Sequence, residues 1–288
     1  MQLQENKSLK GLSTLGIGGP ARYYVEVKTV EELQNALKYC HENGLRHFIL
    51  GKGSNCLFDD RGFNGCIIHN KIHFSTSNGQ GRFHVGAGYS FALLGVQTAK
   101  EGYSGLEFAS GIPASVGGAI FMNAGANGQE TKDALYSVDY VTASGELKTY
   151  LKEDLLFRYR YSSFQDFDGA IASATFALSP AKEARTKQLE IIGYRQKTQP
   201  YGDHSAGCIF RNPDGGFAGR LIEECGLKGY AIGEAEVSML HANFLINKEN
   251  ASSKDFTALI EHIRRTIREK KGIELESEVR VVPYDLPR

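Results

Sequence analysis

Residues Tyr23-Tyr24-Val25-Glu26-Val27 mix polar and apolar positions in the way a half-buried strand does. Thr29-Val30-Glu31-Glu32 then reads as a capping box opening a helix that Gly44 can end. Residues 47–50 predict a second strand, which runs directly into Gly51-Lys52-Gly53-Ser54-Asn55. A strand–helix–strand unit with a glycine turn at the strand's end suits nucleotide binding. From about 71 to 180 the strand signals are shorter and denser: residues 83–86, 137–142, 147–150 and 171–178, with Ser144-Gly145 as a turn. Helices are expected from Ser90 and from near Ala114. Beyond about 181 a charged helical stretch reaches Lys197, and Phe256, Leu259, Ile260, Ile263 and Ile267 mark one face of a later helix stopped by Gly272. Glu278-Val279-Arg280-Val281-Val282 predicts a terminal strand. With no internal repeat and no low-complexity linker, the pattern predicts an α+β protein in three segments: residues 1–70, 71–180 and 181–288.

The length of 288 residues fits two domains or three small ones. Hydrophobic residues at 41% and charged residues at 23% exclude a disordered chain. Lys plus Arg (33) cancels Asp plus Glu (33), which argues against a general nucleic-acid binder. No apolar run reaches the ~18 residues of a membrane span, and MQLQENKSLKGL lacks the marks of a signal peptide. A cytoplasmic protein is therefore expected. The five cysteines are odd in number and form no C-x-x-C pair, and the eight histidines are scattered, so neither a disulfide framework nor a metal site is expected. Glycine is enriched: 33 of 288 residues, or roughly 11% against a usual ~7%.

The excess gathers in loops. In Gly51-Lys52-Gly53-Ser54-Asn55, consecutive small residues allow a tight turn whose N–H groups converge on one spot, as a pyrophosphate requires. It is neither a Walker A loop nor G-x-G-x-x-G, because Cys56 takes the last position. By itself the stretch also fits an ordinary turn. The run from Gly111-Ile112-Pro113-Ala114-Ser115-Val116-Gly117-Gly118 through Asn123-Ala124-Gly125-Ala126-Asn127-Gly128 is more particular. Each Gly inside a regular element costs about 0.5–1 kcal/mol relative to Ala. Close approach to a large, flat or phosphorylated ligand would offset that cost; a crowded crossing of elements is the other reading.

Together the two glycine loops resemble the FAD-binding domain of vanillyl-alcohol-oxidase-type (PCMH-type) flavoproteins. Within that group, the whole chain is similar to the UDP-N-acetylenolpyruvoylglucosamine reductase family. The similarity rests on Ser13-Thr14-Leu15-Gly16-Ile17-Gly18-Gly19-Pro20-Ala21, the two loops, Tyr159-Arg160-Tyr161-Ser162, Ser205-Ala206-Gly207-Cys208-Ile209-Phe210-Arg211-Asn212-Pro213 and Glu276-Ser277-Glu278-Val279-Arg280, in that order. It implies an α+β fold with a two-part FAD-binding domain (1–70 and 71–180) and a C-terminal α+β substrate domain (181–288). It also implies the shorter, type II form of the family, a monomer with a nucleotide-sugar substrate and no nucleic-acid or membrane partner.

The resemblance further implies noncovalent FAD held by Gly51, Lys52, Gly53, Ser54, Asn55, Gly111, Ile112, Pro113, Ser115, Gly117, Gly118, Asn123, Ala124 and Gly125, and reduced by NADPH. The implied reaction is reduction of an enolpyruvyl group in peptidoglycan synthesis. Hydride addition to an alkene conjugated to a carboxylate leaves an enolate, which needs cationic or hydrogen-bonding stabilisation and then an acid. The motifs assign stabilisation to Arg160 and Glu278 and protonation to Cys208, where the family usually carries serine; Asn212 and Arg211 are the implied substrate contacts. Alone, Arg160 reads as a surface strand residue, Glu278 as a solvated acid, and Cys208 as a small buried hydrophobe. Two rivals are a sugar or alcohol oxidase on the same scaffold and a non-catalytic nucleotide-sugar binder. Many such oxidases tether flavin through a His near the first loop, and residues 51–68 contain none. The presence of both Arg160 and Glu278 argues against the binder, whereas an unreactive Cys208 would support it.

Overall fold

Thr29 caps the helix Val30–Glu42 by accepting the Glu32 N–H at 3.1 Å. The reciprocal half of the expected capping box is displaced by one residue, because the Glu32 carboxylate takes the Lys28 N–H at 2.6 Å instead. Leu33, Ala36, Leu37 and Cys40 make this helix's buried stripe, and Gly44 follows its end with φ 59. The helix leads into the strand His47–Leu50, which pairs in parallel with Phe63–Asn70 so that Leu50 faces His69. Pro20–Val27 lies on the other side of Phe63–Asn70.

In the computed structural model residues 2–285 are described, and the chain divides into two units. One comprises Met1–Gln4, Tyr23–Lys52 and Gly65–Arg195; the other comprises Glu5–Arg22, Gly53–Asn64 and Gln196–Arg288. The segment boundaries near 70 and 180 do not mark where the chain passes between units. Strand pairing decides membership instead: Cys56–Phe58 pairs in parallel with Arg280–Val282, so an early segment joins a late one.

The first unit holds a five-stranded antiparallel sheet in the order Leu147–Leu151, Leu135–Thr142, Gly169–Ala177, Arg82–Gly86, Ser75–Ser77. Ser144-Gly145 is the expected turn between its first two strands. Phe83, Phe91, Leu94, Phe108, Ile120, Val138 and Phe176 form the larger of the unit's two cores. The second core joins Leu33, Leu37, Cys40 and Ile68 to Val141, Ala170 and Ala172. Helices Phe91–Lys100 and Val116–Phe121 are capped by Ser90 and Ser115, close to the expected starts.

The second unit carries a four-stranded sheet, His204–Cys208, Phe244–Asn247, Ala235–Val237, Ala231–Ile232. Against it lies the helix Ser253–Lys271, opened by a Ser252–Asp255 capping box and closed by Gly272 at φ 69. Its buried residues are Phe256, Leu259, Ile260, Ile263 and Ile267, the expected face. The mixture of helices and antiparallel strands is the expected α+β class. Among the described residues no helix is long and apolar enough to cross a membrane. Ile263 is fully buried on that helix, so Ile263→Ala should cost about 2–5 kcal/mol, read as a lower urea midpoint followed by circular dichroism.

Candidate active site

In the first unit the two glycine loops touch. A Cβ on Gly51 would stand 2.2 Å from Ser115 Oγ, far inside contact distance. The same Oγ accepts the Gly118 N–H at 3.2 Å as the cap of Val116–Phe121. Lys52 Nζ donates to Ser90 Oγ at 2.8 Å, and Ser90 bridges to Ser115, with Phe91 N–H to Ala114 C=O at 3.0 Å and Val116 N–H to Tyr89 C=O at 2.9 Å. Burial, and after it the charge of Lys71, holds the Lys52 amine below the ordinary lysine value. Gly117 packs against Ala87, and a Cβ on Gly111 would meet Arg195 Cδ and Nε at 2.3 Å. For these glycines the crowded crossing is therefore real.

The far end of the second loop is stitched to a hairpin. Phe157–Arg158 pairs with Tyr161–Ser162, leaving Tyr159-Arg160 as the connection. Arg160 has φ 57, a left-handed backbone that costs a non-glycine residue about 1–2 kcal/mol. Its Nη2 donates to Gly125 C=O at 3.2 Å, and its guanidinium carbon lies 4.8 Å from the Tyr159 ring centre. Gln165 Nε2 donates to Arg160 C=O at 3.1 Å and to Phe121 C=O at 2.9 Å. Asn123 is fully buried, donates to Arg158 C=O at 2.9 Å and accepts the Lys132 N–H at 3.1 Å. Its side chain therefore shapes the loop from within, which is a different task from the ligand contact expected of it.

In the second unit Gly53 has φ 65, and a Cβ there would meet Leu12 C=O at 2.1 Å. Gly53 C=O accepts the Thr14 N–H at 3.2 Å, and Thr14 Oγ1 donates to Ser205 C=O at 2.7 Å. Among the described residues the N–H groups of Gly53, which is buried, and of Ser54 have no acceptor in the chain. Buried amide donors are rarely left so unless a ligand or water takes them. This donor pair fits the phosphate portion of FAD.

Cys208 and Glu278 come together in that same unit. A register shift between Ser205 and Cys208 marks a bulge, with Gly207 at φ 76 immediately before the cysteine. Bulges of this kind re-aim the side chain that follows. The next residue, Ile209, accepts the Glu278 N–H at 2.7 Å, while Glu278 C=O accepts Asn55 Nδ2 at 3.1 Å. Asn55 thus holds Glu278, through an amide expected to bind cofactor. Cys208 is half-buried, whereas Cys40, Cys56, Cys66 and Cys225 are buried. Burial pushes the Cys56 thiol up to about 11, so it is a poor proton donor. Asn212 Oδ1 accepts the Ala218 N–H at 3.0 Å and starts the helix Ala218–Glu224. Arg211 pairs with the exposed Glu276 at 3.4 Å, and its Nε is buried with no acceptor among the described residues.

His69 and His73 stand four residues apart, but His69 is tied to Tyr24 and His73 stacks on Tyr89 at 4.6 Å. Among the described residues no group of three or more His, Cys, Asp or Glu could hold a metal ion. Motif reasoning gave no site role to Thr14, Ser90 and Gln165, whose hydrogen bonds to Ser205, Lys52 and Phe121 span 191, 38 and 44 residues. The Gly51–Ser115 contact makes a separable prediction. Gly51→Ala should destabilise by about 1–3 kcal/mol, and the penalty should shrink in a Ser115→Ala background. Denaturation midpoints of both single variants and the double variant measure that coupling.

Two family models cover most of the chain: an FAD binding domain over residues 21–150 and the UDP-N-acetylenolpyruvoylglucosamine reductase C-terminal domain over residues 199–282. A UDP-N-acetylenolpyruvoylglucosamine reductase of Protochlamydia amoebophila (strain UWE25) is 59% identical over 285 residues, spanning 99% of this chain and 95% of the relative. That of Chlamydia muridarum (strain MoPn / Nigg) is 46% identical over 282 residues, spanning 98% and 95%. The crystal structure of the Thermus caldophilus UDP-N-acetylenolpyruvylglucosamine reductase matches with a TM-score of 0.84 at 37% identity, over 98% of this chain and all of that one. Full-length identity at this level joins the glycine loops, the bulged Cys208 strand and the clamped Glu278 into one assignment: the chain belongs to the UDP-N-acetylenolpyruvoylglucosamine reductase family.

Proposed function

We propose that this protein reduces UDP-N-acetylglucosamine enolpyruvate to UDP-N-acetylmuramate for peptidoglycan synthesis, as a cytoplasmic monomer using FAD and NADPH. The observation that carries the catalytic assignment is the bulge that presents Cys208 beside the backbone bond between Ile209 and Glu278. The reading of FAD rests on the matched binding domain and on the unclaimed Gly53 and Ser54 donors. Bound FAD, once reduced by NADPH, supplies a hydride.

With hydride delivered to the vinyl CH2 of the substrate, the electron pair moves to the neighbouring carbon and into its carboxylate. Arg160 meets that charge with a planar fork that stays protonated. A left-handed backbone at an arginine, where glycine would be easier, is the strain expected of a residue kept for its side chain. Glu278, in its protonated form, donates a hydrogen bond to the same carboxylate. Its backbone is fixed at both N–H and C=O, which limits how far the carboxyl can wander. Cys208 Sγ–H then gives its proton to the carbon beside the carboxylate, leaving the lactyl ether and a thiolate that solvent reprotonates. A thiol, with a reference pKa of about 8.5, is a far stronger acid than the serine hydroxyl usual in the family.

Anaerobic stopped-flow absorbance tests the whole reading: NADPH should bleach the bound flavin, and the enolpyruvyl nucleotide should restore its colour. Cys208→Ala should keep the first phase and slow the second by about 100- to 10,000-fold, while Cys208→Ser retains it in part. Unchanged reoxidation in Cys208→Ala removes the thiol from the mechanism. Arg160→Lys should likewise spare flavin reduction but slow reoxidation by about 100- to 1,000-fold.

A further inference from the structure

The turn that carries Arg160 has little to hold it within its own hairpin. Phe157–Arg158 and Tyr161–Ser162 supply only two pairs of facing residues, and a ribbon that short is marginal by itself. The second connecting residue has a positive φ, a place that glycine or asparagine usually fills, yet here it is Arg160. Relaxing to an ordinary backbone would return about what one hydrogen bond contributes. The left-handed turn therefore persists because neighbouring groups impose it.

Three side chains do so from different directions. Ser162, fully buried, donates its hydroxyl to Phe121 C=O at 2.7 Å, and Asn123 donates to Arg158 C=O at 2.9 Å. Both act on the strands of the hairpin. Gln165 acts on the turn: its Nε2 lies 3.1 Å from Arg160 C=O, 2.9 Å from Phe121 C=O and 3.9 Å from Met122 Sδ. An amide nitrogen has two hydrogens, and the two carbonyls, nearer and stronger acceptors than the thioether, take both. The direction of a carbonyl is set by the ψ of its own residue, so fastening Arg160 C=O fixes the backbone from which the guanidinium extends. The other end of the fastening is Phe121, the last residue of the helix Val116–Phe121 in the second glycine loop. Gln165 is itself held from behind, since Phe164 is 2% exposed and stacks on Tyr140 with ring centres 5.4 Å apart.

We propose that Gln165 is a positioning residue for Arg160, its amide locking the left-handed turn that aims the guanidinium at the developing enolate charge. The inference rests on the reading of Arg160 as the group that meets that charge. Ser162 and Asn123 keep the hairpin attached when the amide is lost, so the expected failure is one of aim and not of folding. Only the step that uses Arg160 should then suffer. Flavin reduction by NADPH does not call on the guanidinium and should be indifferent.

The test is anaerobic stopped-flow absorbance on the flavin-loaded full-length protein. Gln165→Met keeps the length of the side chain and removes both N–H groups. It should leave flavin reduction by NADPH unchanged and slow reoxidation by the enolpyruvyl nucleotide by about 10- to 50-fold. In an Arg160→Lys background the same substitution should slow reoxidation by less than about 3-fold further, because the group it aims is gone. Wild-type reoxidation in a folded Gln165→Met protein overturns the proposal. So does equal slowing of both phases, or a full second loss in the Arg160→Lys background, each the mark of a general structural role. Gln165→Glu, equal in shape and without donors when ionised, is read by the same criteria and decides the matter where Gln165→Met does not fold. An Arg160→Lys protein that reoxidises at the wild-type rate defeats the assignment of Arg160 itself, whereas a slow Arg160→Lys beside indifferent Gln165 variants defeats only the role of the glutamine.

Discussion

There is no room for a methyl group between Gly51 and Ser115, and the arrangement of the first unit's loops follows from that closeness. Ser115 Oγ occupies the space a side chain at 51 would need, and it does so while capping the helix Val116–Phe121. Ser90 continues the contact, capping the helix Phe91–Lys100 and taking the Lys52 amine. Two helix starts and one loop therefore share a few polar atoms. A small displacement of any partner would unseat a cap, expose orphan amides, and move the loop with them.

The second unit solves a similar problem by fixing main-chain groups. Glu278 is gripped on one side by Ile209 and on the other by Asn55, while Gly207 turns the strand so that Cys208 leaves the regular pleat. Thr14 ties the Gly53 turn to Ser205, three residues before that cysteine. The acid and the thiol are thus placed through bonds made to their own stretch of main chain, one from backbone and two from the Asn55 and Thr14 side chains. Such placement suits chemistry that demands fixed distances more than it demands adaptability.

The local elements were legible because their signals are local. Thr29, Ser90 and Ser252 cap helices, Gly272 closes one, and the 3–4 spacing of Phe256 to Ile267 marks a buried face. The candidate site was legible as a set of residue types and motifs, less so as a set of tasks. Asn55 and Asn123 look like ligand contacts in a linear motif, yet their amides hold chain segments 223 and 35 residues away. The left-handed turn at Arg160 carries no glycine or asparagine to announce it. The Tyr24–His69 hydrogen bond joins residues 45 apart on neighbouring strands, a separation at which no periodicity signal survives. Unit membership was hidden for the same reason, since Cys56–Phe58 finds its partner at Arg280–Val282.

That last pairing bears on how the chain is made. Leu15, Ile17 and Leu57 leave the ribosome early, but the hydrophobic cluster they complete draws most of its members from Ala206 to Val279. The strand Arg280–Val282, which Cys56–Phe58 needs beside it, is synthesised long after that early segment. Until those later residues emerge, the early apolar side chains have no place of their own to go. The growing polypeptide must carry them uncovered while the residues of the first unit, available up to Arg195, emerge, a condition that favours chaperone capture and makes premature termination harmful to solubility.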